Sequence, residues 1–174
     1  FVARYHHPRL MTGLDYSSSA IKLSNKIHGN VSNLNFIKGD AENLPFDDNT
    51  FDAVINVESS HCYGNMKKFL NEVYRVLKKG GHFTWVDLRG KDMVRDTESA
   101  FEGVDLKCIH EQTITSEVIH ALDGIHERKM QMIKLHVPKF LQSAFKDFAG
   151  VKKSKIYNAF NDGNAVYLAK AFQK

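Results

Sequence analysis

Two aspartates stand where ligand chemistry is expected. Asp15 closes the apolar run LMTGLD, directly before the serine-rich start of a helix, and Asp40 closes NLNFIKGD. In an open α/β sheet, ligands bind outside the carboxyl ends of the strands, and an acid there commonly accepts from the hydroxyls of a nucleotide ribose. Taken singly, either acid serves as well as an ordinary turn residue. The pair at neighbouring strand ends points to a nucleotide-like ligand. A third stretch, NVESSHCYGN, overlaps the end of the apolar run FDAVINV and carries His61, an imidazole suited to taking a proton near neutral pH. The chain has nine histidines, so packing is the competing role for this one. Cys62 is not its nucleophilic partner, because adjacent side chains point apart. His120 and His126 lie six apart, which does not suit ligands on one helical face, and no metal is expected.

The elements that must position these residues alternate between strand and helix. Phe1 to His7 reads as the end of a helix closed by Pro8, followed by a strand from Leu10 to Leu14. Ser17 to Ser19 offer an N-cap for a helix reaching about His28. NLNFIKGD is a second strand, and AENLPFDDNT has the proline and Asp-Asp-Asn chemistry of a loop. FDAVINV reads as a strand covered on both faces, in the middle of the sheet. NMKKFLNEVYRVLKKGG places Phe69, Leu70, Val73 and Leu77 on one helical face, with Lys-Lys-Gly-Gly as its C-cap. HFTWVDLR and LKCIHEQTIT are further strands, with a short helix from Asp92 to Gly103 between them. Helices interrupted at Pro138 follow, and AVYLAKAFQK closes the chain as an alternating strand. This order predicts a single domain over residues 1–174, with a doubly wound, mostly parallel α/β sheet.

Hydrophobic residues at 43% and charged residues at 25% fit a globular chain. No apolar run approaches the ~18 residues of a membrane span, and no signal peptide is expected. Two cysteines are too few for a disulfide framework, which favours a reducing compartment and a cytoplasmic location. The charge of +4 is uneven: Pro138 to Lys174 holds seven lysines against Asp147 and Asp162, a net +5. Such a stretch is either a solvated helix face or a contact for phosphates or anionic lipid.

Taken together, GLDYS, KGDAENLPF, FDAVINVESSHCY and VLKKGGHFTWVDLR resemble the second half of the class I S-adenosylmethionine-dependent methyltransferases, over nearly all 174 residues. The resemblance implies a Rossmann-like sheet and S-adenosyl-L-methionine as methyl donor. It puts Asp15 on the ribose hydroxyls, Tyr16 over one adenine face, Asp40 on the adenine amino group and the Ala41 backbone at the ring edge. Asn56, Val57 and Glu58 would approach the methionine half, and His61 would take the proton of an acceptor hydroxyl. Packing is the other role open to Tyr16, and capping of the next turn the other role open to Glu58. A nicotinamide-binding domain also puts an acid on a ribose, but it gives no reason for GDAENLPF followed by FDAVINV. Many nucleic-acid methyltransferases hold a flipped base with a Pro-Pro-aromatic stretch that NVESSHCYGN lacks, so a small-molecule or lipid acceptor is expected and nucleic acid is not.

More narrowly, ARYHHPRLMTGLDYS, the His-Cys-Tyr triplet and FKDFAGVKKSKIYNAFNDGNAVYL are similar to methyltransferases of the phthiotriol and phenolphthiotriol lipids, which O-methylate a hydroxyl on a long lipid. That similarity implies substrate-lid helices over residues 116–164. There Met130, Met132 and Ile133, with Phe140, Leu141, Phe145 and Phe148, either line an apolar pocket or form ordinary core. The chain departs from the family at its front, where the first strand and its glycine-rich turn are expected and do not occur. A strand is therefore expected to be missing between the Leu10–Leu14 and Phe51–Val57 strands, leaving backbone groups unpaired. Two functions stay open: a methyltransferase truncated at its N-terminus, and a noncatalytic binding or interaction module.

Overall fold

Short polar side chains fix three of the helix starts in the computed structural model, which describes residues 1–174. In chain order the elements are α1 (Val2–Tyr5), β1 (Met11–Asp15), α2 (Ser18–His28), β2 (Leu34–Lys38), β3 (Phe51–Val57), α3 (Met66–Val76), β4 (Leu77–Gly90), α4 (Val94–Glu102), β5 (Lys107–Thr113), α5 (Thr115–Gly124), α6 (His126–His136), α7 (Gln142–Phe148), α8 (Lys155–Asn161) and β6 (Ala165–Gln173). Ser17 caps α2 by accepting from Ala20 N, Asn65 caps α3 through Lys68 N, and Ser154 caps α8 through Tyr157 N. Each satisfies one amide that the helix itself leaves unpaired.

The strands form two sheets. β1 pairs in parallel with β2, and the second sheet has the order β3-β4-β6-β5. β3 runs parallel to β4, whereas β6 is antiparallel to both β4 and β5, so three strands of that sheet share one direction. The break falls between β1 and β3, where the sequence led us to expect a missing strand. The consequence is visible in β3, whose Ile55 and Val57 are 47% and 54% exposed and whose only buried residue is Asn56. FDAVINV is thus an edge strand of its sheet within residues 1–174, not the doubly covered strand its composition suggests.

The second sheet is layered on both faces. Along β4, side chains alternate, so Phe83 and Trp85 face α3 and α4 and join Phe69, Leu70, Val73 and Phe101 in the main core. Val86 and Leu88 face the other way, against a smaller core of Phe160, Ala165 and Tyr167 with residues of α5 and α8. Two boundaries differ from the sequence reading. α3 ends at Val76, and Leu77 to Gly81 is already extended, because Thr50 N donates to Val76 O and Lys174 N to Gly81 O, drawing the segment into the sheet. The reversal is confined to Gly80, at φ +79°. The helical stretch before Pro138 is also divided, at Ile125.

Candidate active site

β4 leads from the core into the site. Its buried face reads Phe83, Trp85, Asp87, Arg89, so two apolar side chains are followed, one pleat at a time, by an acid and a base at the carboxyl end of the strand. Asp87 is fully buried and Arg89 is 3% exposed. Asp87 Oδ2 accepts from Ser60 Oγ at 2.7 Å and His61 N at 3.0 Å, and lies 3.3 Å from Arg89 Nη1. Asp87 Oδ1 accepts from Leu88 N at 2.9 Å and lies 2.7 Å from His61 Nδ1. Burial alone would raise the Asp87 pKa, but the bonds from Ser60 and His61 and the Arg89 charge outweigh it and hold the carboxyl below its usual range. An ionised Asp87 can only accept, so Nδ1 carries the hydrogen and Nε2 of His61 is the free, proton-accepting nitrogen. The His61 side chain remains 33% exposed.

Ser60 is the hub beneath this pair. Its Oγ receives Trp85 Nε1 and Arg89 Nη2, each at 2.7 Å, while donating to Asp87. Arg89 is further held by Thr97 Oγ1 at 3.1 Å and lies over the Trp85 ring. Every polar atom in this group that needs a partner has one, which fixes the short 3-10 turn Ser60–Cys62 that carries His61.

The remaining predicted residues fall at the ends of β1, β2 and β3. Asp15 ends β1 and is exposed; one carboxylate oxygen accepts from Ser17 N at 2.7 Å and the other is free. Tyr16 is 75% exposed and packs into no core. Asp40 folds its turn by accepting from Glu42 N at 2.8 Å, and Ala41 packs against the main core. Asn56 is 7% exposed and donates to Tyr63 Oη at 2.9 Å, but its Oδ1 is buried without a donor. Such an orphaned acceptor is costly unless a ligand supplies the hydrogen. Glu58 adopts φ +49°, rare for a residue with a side chain, while its N donates to Val86 O at 2.9 Å. The phenol of Tyr167 is pushed up by burial and by the neighbouring Glu58 carboxylate. Tyr63, bonded to Asn56 and Ser59, is likewise raised by burial.

The sequence reading missed Asp87, Ser60 and Arg89. The available signal was VDLR, in which an acid and a base two residues apart continue the buried face of an otherwise apolar strand. The basic tail also divides, because Lys170 is 3% exposed and bridges Glu98 and Glu111, so it belongs to no solvated face.

The methyltransferase domain family matches residues 2–85. The phthiotriol/phenolphthiotriol dimycocerosates methyltransferase of Mycobacterium tuberculosis is 37% identical over the whole chain, and a fatty-acid O-methyltransferase of Mycolicibacterium smegmatis is 32% identical over the same span. The chain covers 64% and 62% of those proteins, respectively. Among solved structures, a putative sarcosine dimethylglycine methyltransferase from Galdieria sulphuraria superposes with a TM-score of 0.84 at 14% identity, over 100% of this chain and 72% of that one. A geranyl diphosphate C-methyltransferase from Streptomyces coelicolor gives 0.74 at 15% identity, over 99% of this chain and 64% of the other. The chain has the α/β fold of these methyltransferase structures, and its first half matches the methyltransferase domain family. By sequence it is similar over its whole length to the phthiotriol/phenolphthiotriol dimycocerosates methyltransferases, of which it spans less than two thirds.

Proposed function

We propose that this protein transfers the methyl group of S-adenosyl-L-methionine to a hydroxyl oxygen of a small-molecule or lipid acceptor. The observation that carries the reading is the His61–Asp87 pair, which holds Nδ1 and leaves the imidazole Nε2 free to accept a proton, on the turn that follows the end of β3. When bound, the donor supplies a methyl already activated by its sulfonium. The chain's own residues then have to bind it, align the acceptor and remove one proton.

Asp15 offers a free carboxylate oxygen to the ribose hydroxyls, Asp40 and the Ala41 backbone hold the adenine, and Tyr16 covers one face of the base. The unpaired Asn56 Oδ1 suits a donor such as the ammonium of the methionine half, with Val57 and Glu58 continuing the wall. His61 accepts the acceptor's hydroxyl proton at Nε2, and Asp87 stabilises the imidazolium that results. The relatives' substrates, phthiotriol-type lipids and fatty acids, support an acceptor with a long apolar part.

The test is methyl-labelled donor incubated with the protein expressed from its full coding sequence and, separately, a hydroxyl-bearing lipid, a fatty acid and duplex DNA. Label in an ether on the hydroxyl lipid is expected. Label only in an ester of the fatty acid would move the acceptor to a carboxylate, and no label anywhere would favour a noncatalytic module.

Residues 116–164 act in this reading as the substrate lid. A cleft of about 860 Å³ between α6 and α7, floored by Met130, Ile133 and Val137 and rimmed by Lys134, Lys139 and Lys146, supports it. None of the donor-site residues lines that cleft. This region meets an anionic membrane surface in the same reading, supported by the 83% and 91% exposure of Phe140 and Phe148 in a stretch of sequence that also holds Lys139, Lys146, Lys152, Lys153 and Lys155. Sedimentation with phosphatidylglycerol vesicles is expected at low ionic strength and is expected to fade with salt. Equal sedimentation with phosphatidylcholine vesicles would contradict this. No helix is long and apolar enough to cross a membrane. The free, exposed Cys62 and Cys108 support a cytoplasmic location.

A further inference from the structure

The loop from Asp40 to Asp48 has almost no regular structure of its own, yet it carries two of the proposed donor contacts. Its backbone is held by α3. Glu72 Oε2 accepts from Leu44 N at 2.6 Å, and Arg75 donates to Leu44 O at 2.9 Å, to Phe46 O at 2.7 Å and to Asp48 Oδ1 at 2.9 Å. Arg75 is itself locked by two bonds to Glu72, both 2.8 Å. At the other end of the helix the direction reverses: Glu42, from the loop, accepts from Gly64 N at 2.7 Å and Asn65 N at 2.9 Å. Those amides follow directly on the turn that carries His61. Between the two ties, α3 buries Phe69, Leu70, Val73 and Val76 in the core and cannot shift independently.

We propose that α3 is a two-ended bracket that sets the donor-binding loop against the His61 turn, with Arg75 and Glu42 as positioning residues that touch neither donor nor acceptor. The fork of a guanidinium is required at the Arg75 end, since one side chain must reach two carbonyls and two carboxylates together, which an ammonium on a lysine stem cannot do. At the Glu42 end only an acceptor oxygen is required. Glutamine supplies one there, and alanine does not. The two ends therefore respond differently to conservative replacement.

The proposal rests on the reading of Asp40 and Ala41 as donor contacts, and the experiment separates the two. Donor affinity is measured by calorimetry with S-adenosylmethionine on the protein from its full coding sequence, as wild type, Arg75→Lys, Arg75→Ala, Asp40→Ala and Arg75→Ala with Asp40→Ala. Amide hydrogen exchange of residues 42–48 is followed on the same samples without donor. Both Arg75 variants are expected to weaken donor binding about tenfold, within the range by which residues remote from a ligand tune its affinity. Leu44 exchange should accelerate in both, and Arg75→Ala should add little to Asp40→Ala because the two act through one loop. Glu42→Ala is expected to lower turnover at saturating donor about tenfold, with recovery in Glu42→Gln. Unchanged affinity and unchanged Leu44 exchange in the Arg75 variants, or fully additive losses with Asp40→Ala, would overturn the bracket. Unchanged affinity in Asp40→Ala alone would overturn the donor-site reading, and the exchange of Leu44 would still decide whether α3 holds the loop.

Discussion

His61→Gln is expected to lower turnover about 10²-fold or more while donor affinity stays that of the wild type. Glutamine keeps a polar side chain in the half-exposed place of the imidazole but cannot take the hydroxyl proton. The loss should shrink with an acidic phenolic acceptor, or as pH is raised, because the hydroxyl then needs less help. Wild-type turnover in this variant would make His61 a packing residue and return Glu58 and Tyr63 as candidates for the base.

Asp87→Asn probes the same pair from below. Asparagine fills the space but presents an amide whose NH₂ can face Nδ1, so the tautomer with a free Nε2 is no longer fixed, and turnover is expected to fall at least about tenfold. The variant also leaves the buried Arg89 without its anion, so a lower melting temperature accompanies the loss. The pH dependence has a definite sign. Because the folded-state pKa of Asp87 lies below its unfolded value near 4, its stabilising contribution is complete above that pH. It is lost as pH falls through the lower, folded value. Acid titration of the melting temperature should therefore show a wild-type decline below about pH 4 that Asp87→Asn lacks in part. Parallel acid curves would remove Asp87 from the account.

Much of this arrangement is legible from residue order. The serine cap at Ser17, the apolar spacing of Phe69, Leu70 and Val73 and the alternation of AVYLAKAFQ each follow from local physics, and each forms where expected. The same local physics misplaces the end of α3, since Lys-Lys-Gly-Gly is a good cap in isolation and only the pairing of β3 and β4 and the C-terminal Lys174 draws it straight. FDAVINV reads as doubly covered because composition records what a strand can bury, not which neighbours are present. His61 was visible as a residue type, whereas its partner was not: Asp87 lies 26 positions away and meets it only through strand register. The ties of Glu42 to Gly64 and Asn65 span 22 and 23 positions and are equally invisible to any local pattern.

Asp15→Ala and Asp40→Ala carry the second large effect. Each removes a carboxylate whose second oxygen has no partner within the chain, so each should cost the donor a charge-assisted hydrogen bond and weaken binding about tenfold or more. The folds of the two variants should survive, because Asp15 is the last residue of its strand, Asp40 lies in a turn, and neither is in the buried core. The most direct measurement is accordingly a calorimetric titration of the protein from its full coding sequence with S-adenosylmethionine, alongside these two variants. Saturable one-to-one binding by the wild type, weakened in both variants, is the predicted result; a wild type that takes up no donor, or one whose affinity neither replacement changes, would contradict the account.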